Sequence, residues 1–226
     1  MNKFAVFDLD GTLYNTHLGV ELLKKLSELG AIPKISQEEF NTKYQEWLVS
    51  EDRTDYYDQY LDVYYNEHLK GVSQTAFNEV CQEIAKEVFD HTYKLTFDAM
   101  QSHKQNGYRI IIISKSPKQA VQAVTDRLGG DYSWGWDFYF NNGKYVGQYN
   151  YNDGSDDKRK IVESIVDEHE LTLSQSFGYG DSRGDISILQ LVENAVCINP
   201  DRFLLEAAQK NNWQVQTVTE TYSHTF

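Results

Sequence analysis

Two aspartates follow the first apolar run of the chain at a spacing that suits joint chemistry. Residues 4–7 are typical of a buried strand, and Asp8 and Asp10 come directly after them. Because residues two apart in an extended segment face the same way, both carboxylates can reach one substrate. A carboxylate can act as a nucleophile or as a general acid and base. Gly11 then allows the backbone to turn tightly away from the strand.

Polar side chains also follow two later apolar runs. Ser114 ends the second run and Asp181 and Asp185 follow the third. The Ser114 hydroxyl, together with the N-terminus of a helix starting near Pro117, can donate hydrogen bonds to a phosphate. Ligands of α/β proteins bind at the carboxyl ends of parallel strands, so we expect these groups to meet. Carboxylate oxygens are the ligands that Mg²⁺ prefers, which predicts a phosphate site with a magnesium ion.

The elements that must position these residues alternate along the chain. Four apolar runs predict buried parallel strands at residues 4–7, 108–113, 177–180 and 195–198. Helical periodicity predicts helices at residues 117–128, 157–168, 185–192 and 201–210. The alternation of strands and helices predicts a doubly wound α/β fold.

The stretch between the first two strands is too long for a single crossover. Residues 14–106 show helical periodicity and no strand pattern, whereas one crossover helix needs far fewer residues. We therefore predict an all-helical cap, residues 16–103, inserted into a core of residues 1–15 and 104–226. Residues 136–149 alternate around Asn142 and Gly143, which predicts a β-hairpin.

The charge of the chain excludes some classes of partner. Its 226 residues carry a formal net charge of −13, so nucleic acid and anionic membranes would be repelled. The sequence has no signal-peptide pattern and no apolar run of transmembrane length. Cys81 and Cys197 lie far apart, which argues against a disulfide framework or a zinc site. We expect a cytoplasmic monomer or homodimer acting on a small phosphorylated metabolite.

Four short motifs, in order along the chain, resemble the signatures of the haloacid dehalogenase superfamily of phosphohydrolases. They are FDLDGTL with Asp8, IIIISKSP with Ser114, DKRKIVESI with Lys158, and GYGDSRGD with Asp181 and Asp185. The helical stretch between the first two motifs is similar to the cap of the phosphoserine-phosphatase-like branch. The resemblance implies a Rossmann-like core with an inserted helical cap and a magnesium-dependent phosphatase activity.

The resemblance also implies a role for each motif residue. Asp8 attacks phosphorus and forms an aspartyl-phosphate, while Asp10 protonates the leaving oxygen and later deprotonates water. Ser114 and Lys158 hold the transferred oxygens. Lys160, in the same basic run, is the alternative to Lys158. The expected magnesium site comprises Asp8, the backbone carbonyl of Asp10, Asp181 and, orienting them, Asp185.

The substrate is less well determined than the reaction. Phosphoserine phosphatases of this branch carry a Glu shortly after the first motif, where this chain has His17, and Gly after the motif Ser, where it has Lys115. Both departures disfavour phosphoserine. The expected substrate-binding residues are Thr12, Tyr14, His17 and Lys115. Two alternatives stay open: a phosphotransferase that passes the phosphoryl group to an alcohol, and a catalytically silent phosphate-binding protein.

Overall fold

A parallel six-stranded sheet forms the centre of the molecule. The computed structural model describes residues 2–34, 36–150 and 158–222. The strands are β1 (Asn2–Asp8), β2 (Arg109–Pro117), β3 (Tyr132–Trp136), β6 (Leu171–Gly180), β7 (Asn194–Ile198) and β8 (Gln214–Gln216). Their order across the sheet is β3-β2-β1-β6-β7-β8. The doubly wound α/β fold predicted from the sequence is confirmed.

Both faces of the sheet are covered, which explains why its inner strands are continuously apolar. Along β1, Ala5 and Phe7 belong to one hydrophobic cluster, whereas Phe4 and Val6 belong to another. This alternation is the two-residue period of a strand. The helices are α1 (Leu18–Glu28), α2 (Gln37–Val49), α3 (Arg53–His68), α4 (Gln74–Glu87), α5 (Lys94–Gln105), α6 (Lys118–Leu128), α7 (Lys158–Glu168), α8 (Ile186–Leu189) and α9 (Arg202–Asn211). Within the described ranges, no helix is long and apolar enough to cross a membrane.

The helices between β1 and β2 share a hydrophobic cluster with the sheet. The cluster that contains Phe7 continues through Val121 of α6 into Leu22 of α1 and Phe77 of α4. Helix α5 contacts β2 directly. The division into a core and a cap at residues 16–103 stays a prediction, because the packing is continuous across it.

A β-hairpin follows β3, as predicted. Its strands are β4 (Phe138–Asn141) and β5 (Lys144–Tyr149), which pair antiparallel. Asn142 and Gly143 both have positive φ angles, 48° and 71°, as a two-residue hairpin turn requires. Strand β5 also pairs with the segment between α3 and α4: the Tyr145 N–H donates to the Val72 carbonyl at 2.9 Å. The hairpin therefore contacts the helical segment between β1 and β2 as well as the core.

Two edge strands were not predicted from the sequence. Strand β3 contains Ser133 and Gly135 and is only partly buried, and β8 has three residues and two glutamines. Edge strands have one open side, so they need no continuous apolar run. The third predicted strand is also longer than expected, because β6 begins at Leu171, and polar residues separate the leucines of its first half.

The register of the sheet brings the motif residues to one edge. Asp8 pairs with Ile113, the residue before Ser114, and Phe7 pairs with Tyr179, two residues before Asp181. The chain runs outward from β1 through β2 and β3, then returns to β6 on the other side of β1. The carboxyl ends of β1 and β6 thus flank the topological switch point, where α/β proteins bind ligands.

Candidate active site

A buried lysine joins two of the motif carboxylates. Lys158 is the first residue of α7, and its Nζ lies 2.5 Å from Asp8 Oδ1 and 2.6 Å from Asp185 Oδ1. All three side chains are at most 6% exposed. Lys160, by contrast, is exposed. The structure therefore brings Lys158, and not Lys160, into the site.

Three carboxylates form a cluster with the geometry of a cation site. Oxygens of Asp8, Asp181 and Asp185 lie within 4.8 Å of one another, and all three residues are buried. Asp8 Oδ2 is buried and has no hydrogen-bond partner among the described residues. A buried anionic oxygen without a donor is costly, so this oxygen is available to a cation or a substrate.

Two glycines leave the room that this cluster needs. Gly11 has a φ of +89°, and a Cβ there would lie 2.3 Å from Asp181 Oδ2. A Cβ at Gly180 would lie 2.4 Å from Cβ of Asp185. Each distance is shorter than any normal contact, so the carboxylates can take these positions only because residues 11 and 180 are glycines without a Cβ.

Asp185 is fixed through both of its oxygens. Oδ2 accepts hydrogen bonds from the backbone N–H groups of Asp181 and Ser182, each at 3.0 Å, while Oδ1 faces Lys158. Asp201 also holds this loop, because its Oδ2 accepts from the Arg183 N–H at 2.9 Å. Asp201 was not singled out from the sequence. Its signal was its position as the residue that caps α9, where its Oδ1 accepts from the helix backbone.

Asp10 lies apart from Lys158 and is held by hydroxyl and backbone donors. Its Oδ1 accepts from the Leu18 N–H at 2.6 Å, and its Oδ2 accepts from Ser114 Oγ at 2.6 Å and Ser116 Oγ at 3.2 Å. His17 Nδ1 lies 3.4 Å from Asp10 Oδ1. Ser116 was also missed from the sequence, although its spacing from Ser114 is the same two residues that relate Asp8 to Asp10.

The electrostatics of the site follow from burial and crowding. Burial raises the pKa of Asp8 well above its ordinary value, against the opposing effect of Lys158. Three neighbouring carboxylates raise it further, in the order Asp185, Asp181 and Asp10. Burial alone would lower the pKa of Lys158, but Asp185 and Asp8 outweigh it and raise the pKa, so the ammonium stays charged.

Burial shifts the pKa values of Asp10 and His17 in opposite directions. Burial raises the pKa of Asp10, although hydrogen bonds from Leu18, Ser114 and Ser116 lower it in part. Burial lowers the pKa of His17 well below its usual value, and the charge of Lys158 adds to the effect. A carboxyl with a raised pKa next to a neutral imidazole suits proton transfer.

The family follows from comparison with known proteins. The profile of the haloacid dehalogenase-like hydrolases matches residues 5–190. The chain belongs to this family. That match includes every motif residue, from Asp8 to Asp185.

Curated relatives of this hydrolase include proteins named as phosphatases. It is 27% identical over 233 residues to a histidinol-phosphatase of Neisseria meningitidis, a match covering 95% of this chain and 98% of the relative. It is 29% identical over 153 residues to phosphoserine phosphatase SerB1 of Mycobacterium tuberculosis, covering 66% of this chain and 46% of that protein. The hydrolase is accordingly a phosphatase that acts on phosphomonoesters.

Solved structures of similar fold include a phosphoserine phosphatase. A structure described as a phospho-aspartyl intermediate analogue of phosphoserine phosphatase has a TM-score of 0.69 at 19% identity, covering 97% of this hydrolase and 94% of that chain. A protein of unknown function from Bordetella pertussis Tohama I has a TM-score of 0.73 at 19% identity, covering 95% and 98%. At these identities the likeness concerns the fold.

The four residues predicted to bind substrate take different places in the hydrolase. Thr12 is fully buried, and its hydroxyl has no hydrogen-bond partner in the described part of the chain. His17 lies beside Asp10. Tyr14 is buried with its ring edge-on to His91, 5.6 Å between centroids. Lys115 is half-buried with its Nζ 6.0 Å from the centre of the Trp136 ring. Their roles in substrate binding stay predictions.

Proposed function

We propose that the protein is a Mg²⁺-dependent phosphatase that hydrolyses a small phosphomonoester through an aspartyl-phosphate on Asp8. The observation that carries the proposal is the buried cluster of Asp8, Asp181 and Asp185 joined to Lys158. Asp8 Oδ1 faces Lys158, while Oδ2 has no donor among the described residues and is free to attack phosphorus. The phosphorus–ester bond then breaks as the Asp8–phosphorus bond forms.

The residues of the cluster fit a magnesium ion. The donors are all carboxylate oxygens, and hard oxygen ligands are what Mg²⁺ selects. Asp8 and Asp181 would hold it together with the backbone carbonyl of Asp10, while Asp185 orients Asp181 and Lys158. Bound there, the ion would offset the repulsion between Asp8 and an anionic phosphate.

The remaining motif residues supply proton transfer and charge. Asp10 donates a proton to the leaving alcohol oxygen and later takes one from the attacking water, a use that its raised pKa supports. Lys158 stays cationic and can hold an equatorial oxygen of the phosphoryl group. Ser114, at the end of the apolar part of β2, can donate a hydrogen bond from its hydroxyl to another oxygen of the phosphoryl group.

Relatives suggest which ester to test first. The Neisseria relative named histidinol-phosphatase aligns over nearly the whole of both chains, so histidinol phosphate is the first candidate. Phosphoserine comes second. The relative named phosphoserine phosphatase aligns over only 66% of this chain and 46% of its own length.

Phosphate release from four esters tests the proposal. The panel is L-histidinol phosphate, L-phosphoserine, glycerol 2-phosphate and p-nitrophenyl phosphate, each measured with Mg²⁺ and with EDTA. We expect Mg²⁺-dependent release that falls below about one-thousandth in Asp8→Asn and in Asp181→Asn. Asp167→Asn, which changes an exposed carboxylate of α7, is the matched control and should keep full activity.

Two further readouts separate the alternatives. Mass spectrometry of acid-quenched enzyme should detect one added phosphoryl group in the wild type and none in Asp8→Asn. Release that persists in Asp8→Asn or in EDTA would contradict the proposal. New phosphorylated products on addition of an alcohol would favour a phosphotransferase, and Mg²⁺ binding without turnover of any ester would favour a silent binding protein.

A further inference from the structure

Two serine hydroxyls converge on one oxygen of Asp10. Ser114 Oγ donates to Asp10 Oδ2 at 2.6 Å and Ser116 Oγ donates to the same atom at 3.2 Å. Both serines are buried, and the Ser116 backbone N–H donates to Ser114 Oγ at 2.9 Å. The two residues belong to β2, and their side chains turn to the same side because they are two positions apart.

The other oxygen of Asp10 is already occupied. Oδ1 accepts from the Leu18 N–H at 2.6 Å, and His17 Nδ1 lies 3.4 Å away. An ionised carboxylate oxygen has about two acceptor sites. Each Asp10 oxygen therefore faces two groups in this arrangement, and Oδ2 has no remaining site for a proton while both serines donate to it.

The Ser114 hydroxyl has two possible acceptors and a single hydrogen. In the structure that hydrogen is directed to Asp10 Oδ2. If Ser114 holds a phosphate oxygen during the reaction, its hydrogen must leave Asp10. One acceptor site on Oδ2 then becomes free, and only Ser116 continues to fix that oxygen.

We propose that Ser116 is a positioning residue that holds Oδ2 of Asp10 when the Ser114 hydroxyl turns to the phosphate. The site released on Oδ2 takes up a proton from solvent, and this is the proton that Asp10 gives to the leaving group. In that step the bond from phosphorus to the ester oxygen breaks, its electron pair goes to the ester oxygen, and the Asp10 proton joins that oxygen to form the alcohol. Ser116 keeps the carboxyl aligned throughout. This inference rests on the proposed function, in which Asp10 is the general acid.

The dependence on the leaving group tests the inference. An alkyl ester leaves as a strongly basic alkoxide and needs a proton, whereas p-nitrophenyl phosphate releases a stable phenolate that needs little protonation. The value of kcat/KM reports the steps up to cleavage of the ester bond and omits hydrolysis of the aspartyl-phosphate. We compare it for the fastest alkyl ester of the panel and for p-nitrophenyl phosphate.

For Ser116→Ala we expect kcat/KM to fall about tenfold or more with the alkyl ester and less than about threefold with the aryl ester. A general loss of folded enzyme would lower both values equally, so the ratio distinguishes positioning from stability. Ser133→Ala is the matched control, because that serine in β3 donates to Gln122 at 2.7 Å and should leave both values unchanged. If Ser116→Ala does not fold, Ser116→Cys, of similar size and a weaker donor, is measured in its place.

Asp10→Asn separates failure of this inference from failure of the proposed function. One outcome is that Asp10→Asn lowers kcat/KM selectively for the alkyl ester while Ser116→Ala lowers kcat/KM equally for both esters, or for neither. That result would overturn the positioning role of Ser116 and leave the acid role of Asp10 standing. If Asp10→Asn itself has no selectivity, both are overturned. Selective loss in both variants supports the inference.

Discussion

Two of the ion-pair sites in this phosphatase lie in opposite surroundings. In the active site, Lys158 contacts Asp8 and Asp185, and no side chain of the three is more than 6% exposed. Where the loop of residues 50–52 meets the core, Arg183 lies 2.8 Å from Asp52, with side chains 41% and 17% exposed.

The contrast distinguishes buried charges of the active site, which serve the reaction, from partly exposed surface charges, which add little to stability. Buried charges lose their hydration, and removing one partner leaves the other uncompensated. Exposed pairs keep most of their hydration and are screened by salt. Changes in the active site should therefore have large effects, and changes at the contact of residues 50–52 small ones.

Lys158→Met should have the largest effect. It leaves Asp8 and Asp185 buried without their cation, so we expect the free energy of unfolding in EDTA to fall by about 3–5 kcal/mol. Activity should fall about 100-fold or more because the phosphoryl oxygens lose a donor. Urea denaturation and phosphate release measure the two effects. Lys160→Met changes an exposed lysine of the same helix and should alter neither stability nor activity. Equal effects of the two variants would contradict the distinction between buried and exposed charges.

Gly11→Ala should break the cluster without removing a charge. The added Cβ meets Asp181 Oδ2, so we expect the Mg²⁺ dissociation constant from calorimetry to rise about tenfold or more. Gly30→Ala is the matched control, since Gly30 has a φ of +70° and no atom within 4 Å of an added Cβ. Both variants should lose about 1–2 kcal/mol of stability from the positive φ. Gly11→Ala should lose more, because its added Cβ also overlaps a buried carboxylate. Unchanged Mg²⁺ affinity in Gly11→Ala would show that the space at Gly11 is not needed for Asp181 to bind the ion.

His17→Gln should change how stability depends on pH. Burial, with Lys158 adding to it, lowers the pKa of His17 below 6.5, so below that pH the unfolded chain binds a proton that the folded protein does not. The wild type therefore loses stability as pH falls below about 6.5, by up to about 1.4 kcal/mol per pH unit from this residue. Urea denaturation between pH 5 and pH 8, a range set by the titration of histidine, should give a shallower dependence for His17→Gln. Parallel profiles would show that His17 does not titrate differently on folding.

Asp52→Asn should have the smallest effect. Its pair with Arg183 is partly exposed, so we expect a loss below about 1 kcal/mol in the free energy of unfolding. The loss should shrink at high salt, which screens such pairs. Denaturation in dilute buffer and in buffer with added NaCl measures both. A loss as large as that of Lys158→Met would mean that this contact behaves like the active site.

Local patterns allowed the buried strands and the polar residues that end them to be predicted, whereas Lys158 was assigned through the family resemblance. Buried parallel strands are continuously apolar, and the polar residue that ends each one marks the edge where ligands bind. Strands β3 and β8 were missed because a strand at the edge of a sheet needs no such run. The first half of β6 was missed because polar residues separate its leucines and three of its five residues are exposed.

The supporting contacts of the site could not be read from the sequence in the same way. Ser116 and Asp201 contact motif residues through distances that only the folded register sets. Ser116 is in the same strand as Ser114, and their spacing places both side chains on one side, but the contact of Ser116 with Asp10 depends on how β1 and β2 pair. Asp201 belongs to a different strand–helix connection, and nothing in its local pattern distinguishes it from an ordinary helix cap.

The central place of β1 has a consequence for synthesis of the chain on the ribosome. This strand is made first, yet its two neighbours in the sheet are β2, about 100 residues later, and β6, which begins at Leu171. The side of β1 that pairs with β6 stays an open edge until that segment emerges, and open edges invite pairing with other chains. Early folding of α1, α4 and α6 around Phe7 would shelter one face of β1 but not that edge. A nascent chain stalled before residue 171 should therefore be prone to aggregation and have no active site.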